Sequence, residues 1–416
     1  MKKIYLTLGL LALPLVAEQL SLDECIEKTL KNHPDIKTFE LKVKQSKSAY
    51  KSEFSAYLPQ VNISANYNVV QTYVFPQNGE FHTVDDDGWS AGAYLKQKIY
   101  DFSLTSSKVE ASKLDESISN LSLQELKAFM VYKVASLYEL MVVEKEAVIV
   151  RQKDLETKEA YYEQAVALMQ QGLKTQADAS RFLSSVYIAK DNLQSAKTAY
   201  EKAKTTLALY MGEKIDENVT LDKSVLKTTL KNRKNIEQDV LASNYALTIT
   251  SENIEKNILL HKAKKASHYG SIDAVASYTH LDTLNSYDAK NAGIVLNIPL
   301  YSGGKISAEA QKAKISAQIA QQQYASKELE LKEKVSSLLL DIKQYDKTIE
   351  AKKAQLDAAE ATKAVLDGRY KEGLSTYIEV LDATSMVLNA KLGLLQAYYL
   401  RSQAIHNIEY LKGKIQ

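Results

Sequence analysis

"YKEGLSTYIEVLDA", Tyr370 to Ala383, decides the fold because its Gly-Leu-x-Thr feature occurs twice in the chain. The stretch "LMQQGLKTQADASR", Leu168 to Arg181, has the same shape 201 residues earlier, with Gly172-Leu173 over Gly373-Leu374 and Thr175 over Thr376. Each copy lies deep inside long, charged, alanine-rich sequence of helical character, where glycine is a breaker. Working outward at the same offset of 201, Tyr100 falls on Tyr301, Val134 on Val335, Leu137 on Leu338, Met141 on Ile342, Val148 on Ile349 and Leu155 on Leu356. At an offset of 211, Ile36 falls on Leu247, and "VNISANY" at Val61 to Tyr67 on "IDAVASY" at Ile272 to Tyr278. The shift of ten residues falls between Tyr67 and Tyr94, where the first copy has a longer loop. Two copies of one unit therefore account for nearly the whole chain, and the repeat frames every later motif.

Inside each copy the hydrophobic period changes from two to about 3.6. Val61, Ile63, Ala65, Tyr67 and Val69 alternate with Gln60, Asn62, Ser64, Asn66 and Asn68, and after a loop ending in "DDDG" (Asp85 to Gly88) Trp89, Ala91, Ala93, Leu95 and Ile99 continue the pattern. In the second copy Ile272, Ala274, Ala276 and Tyr278 form one apolar face, and Ala292, Ile294, Leu296, Ile298 and Leu300 another. The pattern predicts four strands of about ten residues in two hairpins, the length a tilted strand needs to cross a bilayer. Tyr73, Phe75, Trp89, Tyr94, Tyr100, Tyr287 and Tyr301 stand where an aromatic girdle would.

After each hairpin comes helix of unusual length. Tyr100 to Gly172 spans 72 residues, about 108 Å at about 1.5 Å per residue. Val335, Leu338, Ile342, Tyr345, Ile349 and Leu356 step by three and four, as a coiled-coil seam does, and Ala351, Ala354, Ala358, Ala361 and Ala364 permit close helix approach. Such stripes need partners within the chain and in other copies of it.

Composition narrows the function. Among 416 residues, 53 basic side chains face 51 acidic ones with both signs interspersed, so no basic face is available to a nucleic-acid backbone. There are 26 Tyr against 7 Phe and a single Trp, and a ring with a polar tip suits interfaces, membrane ones included. "MKKIYLTLGLLALPLVAEQ" has Lys2 and Lys3, an apolar run from Ile4 to Val16 and a small residue at Ala17, the pattern of a secretory signal. No other apolar run reaches the length of a membrane helix. Cys25 is the single cysteine, which excludes an internal disulfide and a cysteine-built zinc site; a half-buried helical position is expected for it. "YSGGKIS" follows a strand as a phosphate loop does, but Pro299 stands where the first glycine belongs and Ile306 where a magnesium-binding hydroxyl belongs. His261 and His268 are two turns apart with no carboxylate at ligand spacing, and no nucleophile-elbow or zinc-protease motif occurs. No metal, cofactor or enzyme activity is expected.

Four membrane strands cannot stand alone, because an open sheet leaves unpaired N–H and C=O groups in hydrocarbon. Closure demands further copies, and eight, twelve or sixteen strands would all serve. "SAYLPQVNISANY", "KQKIYDF", "LNIPLYSGGKISAEAQKAK" and "YKEGLSTYIEVLDATSMVLNAKLGLLQAYYLRSQA" occur in this order, and through them the sequence resembles the TolC-like outer-membrane efflux proteins over residues 20 to 413. The resemblance implies a mainly α fold with a small β part: a duplicated unit of long coiled-coil-like helical hairpins plus four amphipathic strands per chain. It implies a homotrimer with a 12-stranded barrel in outer-membrane lipid and an α-helical tunnel across the periplasm of a Gram-negative bacterium. The implied function is the exit duct of a tripartite efflux pump or type I secretion system, working with a periplasmic adaptor and an inner-membrane pump. A periplasmic coiled-coil scaffold without channel activity is the alternative.

The expected organisation is a signal peptide at 1–17, an entry helix at 18–57, a membrane hairpin at 58–101 and a helical hairpin at 102–212 with its tip near 172. A connecting segment at 213–235 leads to a second entry helix at 236–269, a second membrane hairpin at 270–302 and a second helical hairpin at 303–416 with its tip near 373. By resemblance the tips, Gly172, Leu173, Thr175, Gly373, Leu374 and Thr376, meet the adaptor. Glu379 and Asp382, three apart and so on one helix face, match the constriction positions and would make a ring of six carboxylates in a trimer. Asp178 and Tyr370 match positions that hold neighbouring hairpins together by hydrogen bonding. Where some multidrug relatives carry an arginine two residues past the second tip glycine, this chain has Ser375.

Overall fold

A proline disfavours helical backbone at the residue before it, and the first helix ends at such a residue. The computed structural model describes residues 19–217, 219–230 and 235–415; the expected signal at 1–17 lies outside them. Strand β1 (Gln19–Leu20) leads into α1 (Leu22–Asn32), capped by Ser21, whose side chain accepts the Glu24 N–H at 3.2 Å. Pro34 confines His33 to extended backbone, so α1 ends there and α2 (Pro34–Phe54) starts afresh. The expected first entry helix is thus two helices. The second breaks likewise into α5 (Ile236–Ser243) and α6 (Tyr245–Ala266), separated by Asn244, whose side chain accepts the Leu247 N–H at 3.0 Å. His33 and Asn244 are 211 residues apart, so the break belongs to the repeat.

Between these lie β2 (Gln60–Gln77), β3 (Glu80–Tyr100), α3 (Leu104–Gln170), α4 (Gln176–Met211) and β4 (Thr220–Leu221). After α6 come β5 (Ser271–Asp282), β6 (Ser286–Asn297), α7 (Lys305–Lys371) and α8 (Tyr377–Leu411). Helices α3 and α7 each have 67 residues, about 100 Å of helix apiece. Among the described residues no helix is long and apolar enough to cross a membrane.

The chain divides into two compact units. One holds Thr38–Glu125 and Asn244–Leu331, and with them the antiparallel sheet β2-β3-β5-β6, whose outer strands β2 and β6 have open edges. Val61, Ile63, Leu95, Ala276, Ile294 and Leu296 share one face through the register, and Ile63 is 84% exposed. A soluble sheet would not leave that stripe in water. The second hairpin has strands of 12 and 12 residues, close to expectation, but the first has 18 and 21.

The other unit comprises the residues up to Lys37, Leu126–Ser243 and those from Lys332 onward. Its main core gathers Cys25, Val134, Tyr138, Met141, Leu207 and Met211, all nearly inaccessible. Tyr138 donates to the Leu20 carbonyl at 2.8 Å and accepts the Asp222 N–H at 3.0 Å, tying α3 to the parallel β1–β4 pair. Cys25 is fully buried rather than half-buried, and burial pushes its thiol up to about 12, so no reactive thiolate forms near neutral pH. The seam expected along α7 is in place, with Val335, Leu338, Ile342 and Ile349 buried.

One buried polar group locks α3 to α8. Glu139 is inaccessible; its Oε1 accepts from Ser402 Oγ and lies 2.8 Å from His406 Nε2. Hydrogen bonds to a charged group contribute about 1.5–3 kcal/mol each. Glu139→Ala should therefore lower the unfolding temperature of the detergent-extracted protein by several degrees. An unchanged unfolding temperature would mean that this cluster is not holding the helices.

Candidate periplasmic tips and the contacts between them

The repeated Gly-Leu-x-Thr is a stop signal followed by a start signal. At the end of α3 the Gly172 N–H bonds the Met169 carbonyl at 2.9 Å and the Leu173 N–H bonds the Leu168 carbonyl at 2.9 Å. At the end of α7 Gly373 bonds Tyr370 at 3.0 Å and Leu374 bonds Arg369 at 2.8 Å. Both glycines are left-handed, with φ of +77° and +75°, which closes a helix at no cost only without a Cβ. Nothing else would touch a Cβ there, so backbone conformation alone requires glycine.

Three residues later the chain restarts. Thr175 caps α4: its hydroxyl accepts the Asp178 N–H at 3.3 Å, and Asp178 accepts the Thr175 N–H at 3.0 Å. Thr376 and Glu379 repeat this reciprocal box on α8 at 3.3 and 2.7 Å. The Thr175 N–H holds the Asp178 carboxyl below its usual range, and the Thr376 N–H does the same for Glu379. Since both folded pKa values are depressed, this contribution to the tips is present at neutral pH and is lost as pH falls through the lowered values.

The boxes change the meaning of two expected site residues. Asp178 and Glu379 are 201 residues apart and so are the same position in the two copies, with the same local task. Glu379 and Asp382 do share an exposed face of α8, continued by Met386 and Asn389, while Val380, Ala383, Thr384, Val387 and Leu388 are buried. Leu173 and Leu374 are exposed at 66% and 68%, although the residue in this position of such a turn commonly packs back on its helix.

Tyr370 is fully buried, edge-on to Phe182 at 5.8 Å and to Tyr161 at 6.3 Å, beside Ala165, Ala179 and Val380. Burial first, then the negative Asp178, raises its phenol. Its hydroxyl has no hydrogen-bond partner among the described residues, and the Asp178 carboxylate accepts from the Thr175 N–H and hydroxyl. The expected Asp178–Tyr370 pair is therefore close but not bonded within this chain.

A different set of polar contacts joins the two hairpins. Tyr161 of α3 donates to Asp367 of α7, while Lys363 donates to Tyr161 Oη at 3.0 Å and to Asp367 at 2.6 Å. Burial, reinforced by Asp367, raises the Tyr161 phenol. Nearer the tips, Lys174 Nζ approaches the Ser375 carbonyl at 3.5 Å and stands 5.5 Å over the Tyr370 ring. Lys174 and Ser375 are repeat equivalents, 201 apart, so the lysine of the first tip reaches its own counterpart on the second, where Arg369 also donates to the Leu374 carbonyl at 3.3 Å. The sequence carries one signal for the Tyr161 cluster: Lys363 and Asp367 stand four apart on one helix face.

The profile of the outer membrane efflux protein family matches residues 25–213 and 239–414. The outer membrane protein TolC of Vibrio cholerae is 24% identical, over 94% of this chain and 90% of its own length. The outer membrane efflux protein BepC of Brucella suis is 22% identical over 82% of this chain and 74% of its own. Among solved structures, CusC aligns with a TM-score of 0.86 at 17% identity, covering 95% of this chain and 92% of the other. The open-state outer-membrane channel MtrE of Neisseria gonorrhoeae aligns with a TM-score of 0.80 at 19% identity, covering 94% and 88%. With both copies of the repeat matched and the fold shared almost end to end, the chain belongs to the outer membrane efflux protein family.

Proposed function

We propose that the two tips of each chain, six in a trimer, frame the periplasmic entrance of an outer-membrane efflux duct. The sheet carries the reading: four strands with an apolar face and two open edges stay in hydrocarbon only if further copies close them. Three copies give twelve strands. Glu379 and Asp382 would then ring the entrance as six carboxylates. The exposed Leu173 and Leu374, each set by a rigid capped turn, would offer a periplasmic adaptor an apolar anchor, and an inner-membrane pump would deliver the cargo. The contacts around Tyr161 and Lys174 would hold the hairpins in the resting, closed arrangement, in place of the Asp178–Tyr370 bond. Extracted in mild detergent, the protein should migrate as a trimer from the outer-membrane fraction and conduct ions in planar bilayers. A monodisperse water-soluble monomer would overturn the reading.

A further inference from the structure

We infer that the outer end of the first hairpin is an interaction surface for its own symmetry mates, three copies of it drawing together over the outer mouth. The inference rests on the trimeric duct proposed above. The last pair joining β3 to β5 is Trp89 with Asp282, so residues 69–77 and 80–88 run on as a ribbon of two strands. A two-residue turn at Asn78 and Gly79, both left-handed with φ of +52° and +85°, closes it.

The register shows where the hydrocarbon ends. On the apolar face the aliphatic stripe of Val61, Ile63, Leu95, Ala276, Ile294 and Leu296 gives way to the cross-strand pairs Tyr278–Lys290 and His280–Asp288 and to Tyr67, Trp89 and Asp282, which lie side by side. Aliphatic side chains giving way to interleaved aromatic and charged ones mark the edge of a membrane band. The ribbon stands beyond it, in water.

At this level the faces exchange. Up to Asn68 and Gly88 the pairing is regular, but the next pair is Gln71 with Asp86. Two residues of β2, Val69 and Val70, therefore oppose Asp87 alone, a bulge that inverts the alternation of β2. Without it Tyr73 and Phe75 would continue the lipid stripe begun at Val61, as the sequence suggests. With it they share a face with Val84 and His82, on the side that lower down carries Asn62, Ser64 and Asn66. The same register places Tyr94 and Tyr287 on that polar side, so of the expected girdle residues within the regular register only Trp89 keeps its place.

Where it leaves the membrane the pore-side face thus gains a cluster of Tyr73, Phe75 and Val84, between the polar pairs Gln71–Asp86 and Gln77–Glu80. Phe75 is 41% exposed and Val84 43%, and the Tyr73 hydroxyl is shielded from water without a hydrogen-bond partner among the described residues. An isolated two-stranded ribbon is marginal in water. The occupant of this face is the equivalent ribbon of the neighbouring copies, because β2 is the open edge at which another copy must join and the ribbon continues that strand. Packed together, three sets of Tyr73, Phe75 and Val84 would narrow the outer mouth with an apolar constriction.

Phe75→Cys tests this in the full-length protein, since the native Cys25 is inaccessible. Oxidation with copper phenanthroline in whole cells should link two of three chains into dimers, while Val74→Cys, on the opposite face, should link far less. Tyr73→Ser with Phe75→Ser should raise single-channel conductance at least twofold and sensitise cells to vancomycin. A trimer that still conducts but gives no link at position 75 and no conductance change overturns the constriction and leaves the duct standing. Equal linking at 74 and 75 also overturns it, as does brominated-lipid quenching of Phe75→Trp fluorescence in a Trp89→Phe background, which would put the face in the bilayer. A monomer that neither links nor conducts overturns both readings.

Discussion

Tyr161→Phe should shift the resting channel toward its open state by about one order of magnitude, seen as larger mean conductance of purified protein without its adaptor. The phenol donates to Asp367 and accepts from Lys363 at 3.0 Å, and it bridges the first helical hairpin to the second. A hydrogen bond to a charged partner is worth about 1.5–3 kcal/mol, and about 1.4 kcal/mol is tenfold in a population. Removing the hydroxyl leaves the Lys363–Asp367 pair intact on α7, so α7 stays ordered while its tie to α3 goes. Lys363→Met should act in the same direction. The double variant should fall short of the product of the single effects, because both substitutions act on one cluster. Tyr370→Phe provides the contrast. It deletes a hydroxyl with no partner among the described residues while keeping the ring against Phe182, so conductance should change little. Should Tyr370→Phe open the channel and Tyr161→Phe leave it closed, the hairpins are held by the Tyr370 pair after all.

What the sequence made legible was local or periodic. Gly172 and Gly373 stand out because glycine inside helical sequence needs a reason, and their spacing exposes the duplication. The long helices and the amphipathic strands follow from periods that survive any packing. The capping boxes, Thr175 with Asp178 and Thr376 with Glu379, are equally local, and a threonine followed three residues on by a carboxylate is their signature. Two other features were not legible. The bulge after Asn68 is invisible because Val69, Tyr73 and Phe75 keep the parity of Val61, and only pairing with β3 reveals the inversion. The Tyr161–Asp367 contact joins residues 206 positions apart, where one sequence offers neither period nor motif. Tertiary pairing decides both.

The second large effect concerns the entrance carboxylates, and the capping box dictates how to test them. Glu379→Ala would remove a charge and break the start of α8 together, confounding selectivity with a frayed tip. Gln in the same position keeps the box, since its amide oxygen can still accept the Thr376 N–H. The informative variant is therefore Glu379→Gln with Asp382→Asn, which neutralises six side chains in a trimer while preserving shape. In planar bilayers the cation preference should fall several-fold, and block by multivalent cations should weaken by at least tenfold, because a ring of like charges attracts such ions through their full valence. Acid should mimic the variant: the Thr376 N–H lowers the Glu379 carboxyl within one chain while like charges around one entrance oppose that shift, so cation preference should fall as pH drops through the carboxylate range. If the neutral variant selects and blocks like the parent, the face shared by Glu379 and Asp382 is turned away from the permeation path. The exposed stripe they form with Met386 and Asn389 would then be a surface facing the periplasm or an adaptor, and adaptor cross-linking at Asp382→Cys would be the measurement to follow.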